Sequence, residues 1–170
     1  MIITEGWKFN DPVFKVLPRA NVSIPILALT YGSLVLFVFT HLKKKYLLSR
    51  LALSYAVLLL LRTITLTLVP LAIPEDIVWL DDPFLNGIVY QGDIAGDLFF
   101  SGHTALLVII YFQSNRKWWF LLLMLTLGVL LMIQRVHYSI DILGALPFGY
   151  MAVRIVDWVL KKLTKGAINV

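Results

Sequence analysis

Residues 58–65 read Leu58-Leu59-Leu60-Leu61-Arg62-Thr63-Ile64-Thr65, a cation set inside an apolar run that extends from 47 to 69. The run is long enough to cross a bilayer, which takes about 20 apolar residues. A charge at such a depth costs about 2.5–3.5 kcal/mol on insertion scales, so Arg62 needs a partner or a watery cavity. One reading makes it a phosphate clamp, because the planar guanidinium fork matches phosphate oxygens and stays charged. The other has it snorkel outward or pair with an acid from a neighbouring loop.

Working outward, comparable runs occur at 22–41, 99–113, 118–135 and 138–160. Ser23 is placed to cap the first, and Pro25 is tolerated in its opening turn. Residues 7–20 mix Trp7, Phe9, Val13, Phe14, Val16 and Leu17 with Lys8, Asp11, Lys15 and Arg19, too short and too charged to span. They read as an interfacial segment without a signal-peptide pattern. Of the 170 residues, 59% are hydrophobic and 15% charged. A soluble domain carries about 25% charged residues. The expected fold is therefore all-α: a single integral membrane helical bundle over 1–170, with about five transmembrane helices plus the N-terminal segment. The chain has no cysteine, so thiolate metal sites and disulfides are excluded. No basic patch interleaves with aromatics, which argues against nucleic acid.

The charges orient the bundle. Following the runs back and forth, one side collects Lys43, Lys44, Lys45, Arg50, Arg116, Lys117, Lys161, Lys162 and Lys165. The other side holds Lys8, Lys15, Arg19 and Arg135. It also holds the loop 70–98, which carries Glu75, Asp76, Asp81, Asp82, Asp93 and Asp97 and no Lys or Arg. By the positive-inside rule the first side is cytoplasmic, which puts the C-terminus inside and the acidic loop on the exoplasmic face. Trp118, Trp119 and Trp158 fall near run ends, as an interfacial aromatic belt expects.

Two of the three histidines sit in motifs at that exoplasmic face: Asp97-Leu98-Phe99-Phe100-Ser101-Gly102-His103-Thr104 and His137-Tyr138-Ser139-Ile140-Asp141. His137 and Asp141 are four apart, so on a helix they share a face and the carboxylate can hold the ring. An imidazole oriented by a carboxylate, with a second imidazole, can attack phosphorus and protonate a leaving group. Ser101-Gly102 opens a helix whose free amides favour an anion, and Gly102 permits close approach. His103 then reads as a general acid beside bound phosphate. Each motif also has a plainer reading, a capped interfacial His and a structural His–Asp pair. Two His and an Asp could hold zinc, but no further ligand is apparent. Arg135 either adds positive charge at the phosphate or marks the interface. Asp97 and Asp93 either orient a His, bind a cationic head group, or join Glu75, Asp76, Asp81 and Asp82 in a solvated loop. His41 reads as solvated, and Arg154 with Asp157 as an intrahelical ion pair.

These residues resemble the type 2 phosphatidic acid phosphatase superfamily, and within it the sphingomyelin synthase-like branch, over about Asp11 to Trp158. The pieces that carry the resemblance are Arg62-Thr63-Ile64-Thr65 ahead of Pro70 and Pro74, Gly96-Asp97 through His103-Thr104, and His137 through Asp141. The resemblance implies a triad of His103, His137 and Asp141 with no metal or cofactor. His137 would attack phosphorus to give a phosphohistidine-type intermediate, Asp141 would orient it, and His103 would protonate the departing oxygen. The broader phosphatase pattern has a Lys before its first Arg, a Pro before Ser-Gly-His, and a Ser-Arg pair before the last His. Here Tyr55, Phe100 and Leu130-Leu131 stand in those places. The branch also has six spans where five are counted here.

The expectation is a lipid phosphotransferase with Arg62, Ser101, Gly102, Asp97 and Arg135 around the substrate. Its partners would be a phospholipid donor and ceramide, diacylglycerol or water as acceptor. The alternative is a lipid phosphate phosphatase acting on a phosphomonoester or pyrophosphate lipid with the same triad. A third reading, a non-enzymatic lipid-binding relic, is disfavoured because all three triad residues are present. The residues do not specify the oligomeric state.

Overall fold

The structure, a computed structural model, describes residues 6–69, 71–80, 82, 99–114 and 117–168, with backbone only at 117 and 164–168. Among the described residues the elements are a 3-10 turn Pro12–Lys15 and five helices: α1 Ser23–His41, α2 Lys45–Leu68, α3 Gly102–Gln113, α4 Lys117–Ile133 and α5 Ser139–Ile168. Among the described residues, three stretches are long and apolar enough to cross a membrane: Ser23–His41, Lys45–Leu68 and Ser139–Leu163. The chain is an integral membrane helical bundle, as the apolar runs predict. Asp81, Asp93, Asp97 and Arg116 lie outside the described residues.

α3 is the hub, packed against each of the other four helices. Residues Thr104 to Ile110 are all buried, so the helix is apolar on every side. Such a helix suits the middle of a bundle. Its 12 residues span about 18 Å, short of the ~30 Å hydrocarbon core. It begins at Gly102, three residues later than the apolar run suggests. Ser101 is in extended conformation and its side chain accepts from Thr104 N at 3.3 Å, which fixes the start.

Lipid tails are as apolar as leucine, so helices in a membrane associate through close packing of small residues and through interhelical hydrogen bonds. α5 carries such a face in Ala145, Gly149 and Ala152, with both alanines fully buried. A Cβ at Gly149 would lie 2.8 Å from the Val108 side chain and 3.1 Å from the Ala105 carbonyl of α3. At the basic end, Arg50 grips Asp157 with two 2.6 Å bonds, joining α2 to α5. Asp157 is thus committed across helices rather than to Arg154, which lies over the Tyr150 ring. Nearby His41 is buried, not solvated: Nδ1 meets the Phe37 carbonyl at 2.9 Å and the two rings stack.

α4 closes in a Schellman turn. Val136 N donates to Leu131 O and Arg135 N to Met132 O, with Arg135 in the left-handed region at φ 59. The first helix is capped from two residues before Ser23, not by Ser23 itself. Asn21 Oδ1 accepts from Ser23 N and Ser23 Oγ. The N-terminal segment lies across the acidic end of the bundle. Asp11 Oδ1 accepts from Val13 N, and its Oδ2 accepts from Ser139 N at 2.5 Å, so one buried carboxylate caps both the 3-10 turn and α5.

Overpacking a tight helix contact costs roughly 1–3 kcal/mol. Gly149→Val should therefore lower the thermal midpoint of the protein in detergent by several degrees. Gly32→Ala, where a Cβ meets nothing within 4 Å, should leave it unchanged. Equal behaviour of the two variants would refute the close α3–α5 contact.

Candidate active site

The two histidine motifs meet where α3 and α5 begin. Ser101 N donates to the Asp141 carbonyl at 3.2 Å, which docks the start of one helix on the first turn of the other. Just before it, Phe100 adopts φ 48, an uncommon conformation for a bulky residue. Its ring is fully buried and stacks on Phe148 of α5 at 4.7 Å. Its carbonyl turns to α2, where Arg62 donates to it at 2.6 Å. Arg62 therefore reaches the amino end of α3. A Cβ on Gly102 would come within 3.2 Å of its guanidinium, so the missing side chain makes room for the cation.

His137 leads into α5. Its Nδ1 faces Asp141 Oδ2 at 3.3 Å, the i, i+4 contact expected from the spacing. Asp141 is fully buried and its Oδ2 also accepts from Tyr138 N at 3.0 Å, so the carboxylate is held from the backbone side. A hydrogen bond of this length is common at an unliganded site and tightens when substrate arrives. Nε2 is the ring nitrogen that Asp141 does not engage. Burial lowers the His137 pKa; Asp141 opposes this, while Arg62 and His103 act in the same direction as burial. The ring is thus held in the neutral form that a nucleophile needs, and the same balance shows that Arg62 and His103 lie close enough to be felt.

Two residues take positions that spacing did not suggest. Arg135 turns away from His137. Its guanidinium donates to the carbonyls of Phe14 at 2.6 Å and Leu17 at 3.0 Å, sits over the Phe14 ring, and approaches Asp76 at 3.5 Å. The left-handed backbone of the Schellman turn sends the side chain to the N-terminal segment, which it fastens to the bundle. Asp82, read as one of the solvated acids, is 3% exposed. Its Oδ2 lies 3.3 Å from His103 Nε2, and Tyr31 OH donates to both of its oxygens at 3.0 and 2.8 Å. The two residues are 21 apart in sequence, so no local period announces the pair. Asp97, expected near the substrate, lies outside the described residues. Among the described residues no three His, Asp or Glu side chains converge in a way that could hold a metal ion.

The assembled groups are a neutral, carboxylate-held imidazole, a second imidazole, a guanidinium, and the amide end of a helix. Together they suit nucleophilic displacement at a phosphate. Residues 95–159, which include both histidine motifs, match the family model described as PAP2 superfamily C-terminal. The fold is similar to that of LpxE from Aquifex aeolicus, with a TM-score of 0.61 at 17% sequence identity, over 85% of this chain and 92% of that one. No curated protein matches the chain.

Because the His137 pKa is lowered, the neutral form persists below the ordinary value of 6.5. The acid limb of kcat/KM should fall below pH 6.5. Arg62→Gln removes a cation that lowers this pKa, so the limb should move upward whatever happens to the rate at the optimum. A limb above pH 6.5, or one that moves down in the variant, would contradict the reading of His137.

Proposed function

We propose that this protein is a membrane phosphotransferase of the sphingomyelin synthase-like kind, moving a phospho-head group from one lipid to another at the exoplasmic face. The observation that carries the proposal is the pairing of buried His137 with Asp141 beside the His103 end of α3. His137 Nε2 attacks phosphorus. The bond to the leaving alcohol breaks, its electron pair stays on oxygen, and that oxygen takes a proton from His103. Asp141 holds His137 in the required tautomer and stabilises the positive charge that the ring acquires. Arg62 and the amides opening α3 bear on the phosphate oxygens as charge builds there. In the second half, an acceptor hydroxyl gives its proton to His103, attacks the phosphorus, and releases His137.

The acceptor separates transferase from phosphatase. Arg135 is engaged by the N-terminal segment, so Arg62 is the cation observed at the helix end. A single guanidinium suits a phosphodiester of one charge better than a doubly charged phosphomonoester, and this favours lipid-to-lipid transfer. The second reading is a lipid phosphate phosphatase, in which water resolves the same intermediate. It rests on the match of residues 95–159 to the PAP2 model, which bears on the shared first half of the reaction. The exoplasmic assignment rests on the basic residues gathered at the opposite end, among them Lys43 to Lys45 and Arg50.

Purified protein in mixed micelles with a head-group-labelled phospholipid, with and without ceramide or diacylglycerol, distinguishes these readings. Transfer of label to the acceptor lipid is expected. It should be abolished in His137→Ala and reduced about 10²–10⁴-fold in His103→Ala, the usual contribution of a general acid. Release of free phosphate or of phosphorylated head group without acceptor would establish the hydrolase. Transfer that survives His137→Ala would overturn the nucleophile.

A further inference from the structure

His103 has its own carboxylate, and the carboxylate is built in rather than incidental. Asp82 is buried at 3% exposure in the segment between α2 and α3. A buried carboxylate is costly unless it is paired and hydrogen-bonded. Here Tyr31 of α1 donates to both oxygens, and His103 Nε2 of α3 faces Oδ2. The segment leading to Asp82 is itself fixed. Val78 N donates to the Gln134 carbonyl at 3.0 Å, and Gln134 Nε2 reaches the Trp79 carbonyl at 3.3 Å. The same Gln134 side chain, fully buried, donates to Ser23 Oγ at 2.6 Å and accepts from Val22 N at 2.8 Å. One glutamine thus locks the start of α1 and the approach to Asp82 in a common frame, so Tyr31 and Asp82 meet His103 from rigid neighbours.

We propose that Asp82, braced by Tyr31, is the positioning residue of the general acid His103, so that the site contains two carboxylate-held histidines. This rests on the phosphate-transfer reading above. With Nε2–H directed at Asp82, the proton given to the leaving oxygen comes from Nδ1. As that proton moves, the P–O bond breaks with its electron pair on oxygen, and His103 is left as the neutral Nε2–H tautomer that Asp82 favours. The second half reverses the transfer: the acceptor proton returns to Nδ1. Asp141 does the corresponding work from Nδ1 of His137, leaving Nε2 for attack. The two rings are therefore held through opposite nitrogens.

The test uses leaving groups. An alkoxide must be protonated as it departs, whereas p-nitrophenolate departs without help. Wild type, Asp82→Asn and Tyr31→Phe are assayed in detergent on two pairs of donors: dodecyl phosphate with p-nitrophenyl phosphate, and dioctanoyl phosphatidylcholine with p-nitrophenyl phosphocholine. Asp82→Asn should lose roughly 10- to 100-fold in kcat on the alkyl donor, part of the 10²–10⁴ that general acids supply, and little on the aryl donor of the same pair. Tyr31→Phe, which keeps the packing, should show the same split more weakly, and serves if Asp82→Asn fails to fold. Equal losses on both donors, or no loss on either, would overturn the proposal.

A readout independent of turnover separates its failure from that of the underlying reading. In ¹⁵N-histidine-labelled protein, His103 (assigned with His103→Gln) should lose its Nδ1 proton first as pH is raised, giving the neutral Nε2–H tautomer, and this tautomer should change in Asp82→Asn. A His103 signal indifferent to Asp82 overturns the positioning role. Absence of wild-type turnover on all four donors, with the tautomer as expected, would leave the pairing in place but overturn phosphate transfer, and the general-acid role with it.

Discussion

The bond from Ser101 N to the Asp141 carbonyl, 3.2 Å long, is the constraint on which the site depends. It joins the first turn of α3 to the first turn of α5. Both histidine motifs lie at its ends: Gly102 and His103 within two residues of Ser101 on one side, and on the other Asp141 itself with His137 four residues before it. The conformation of Phe100 follows from it. For the chain to enter α3 at that point, the residue before Ser101 must turn through φ 48. The cost of such a turn, of order 1–3 kcal/mol, is offset where surroundings over-determine it. The stacking of Phe100 on Phe148 and the Arg62 bond to its carbonyl supply that. The cation deep in α2 is thus a structural tie and a phosphate ligand candidate at once.

The rest of the bundle can be understood as support for this junction. α3 is short and surrounded, and the small face of α5 lets the two helices approach until a Cβ at Gly149 would collide with Val108 and crowd the Ala105 carbonyl. At the far end, Arg50 and Asp157 hold α2 against α5. At the near end, Arg135 and Asp11 bring the N-terminal segment over the start of α5. Each tie gives a charged group a partner within an apolar bundle, where one with no partner would be expensive.

Much of this was legible in the sequence, for physical reasons. Apolar runs of membrane length announce spans directly, because a bilayer enforces internal backbone hydrogen bonding. The pairing of His137 with Asp141 was legible from the four-residue spacing, although His137 lies in the bend before α5 and meets the first turn of that helix rather than sharing a helical face with Asp141. Arg62 was legible because a buried charge needs an explanation. What escaped was set by tertiary geometry. Arg135 looked like a site cation from its distance in sequence to His137, but a left-handed backbone at its own position redirects it. Asp157 had a neighbour at the right helical spacing and bonded a different helix. Asp82 looked like every other acid in its loop. Only the meeting of α1, the loop and α3 distinguishes it.

The central claim is that His137 is a nucleophile rather than a structural histidine. Rapid-quench labelling tests it most directly. Protein mixed with head-group- and phosphorus-labelled phospholipid, stopped in alkali within the first turnover, should carry the label on a histidine, stable to base and labile to acid. The label should be absent in His137→Ala and should accumulate when the acceptor is withheld. Turnover with no labelled protein at any time, or a label that persists in His137→Ala, would contradict the account.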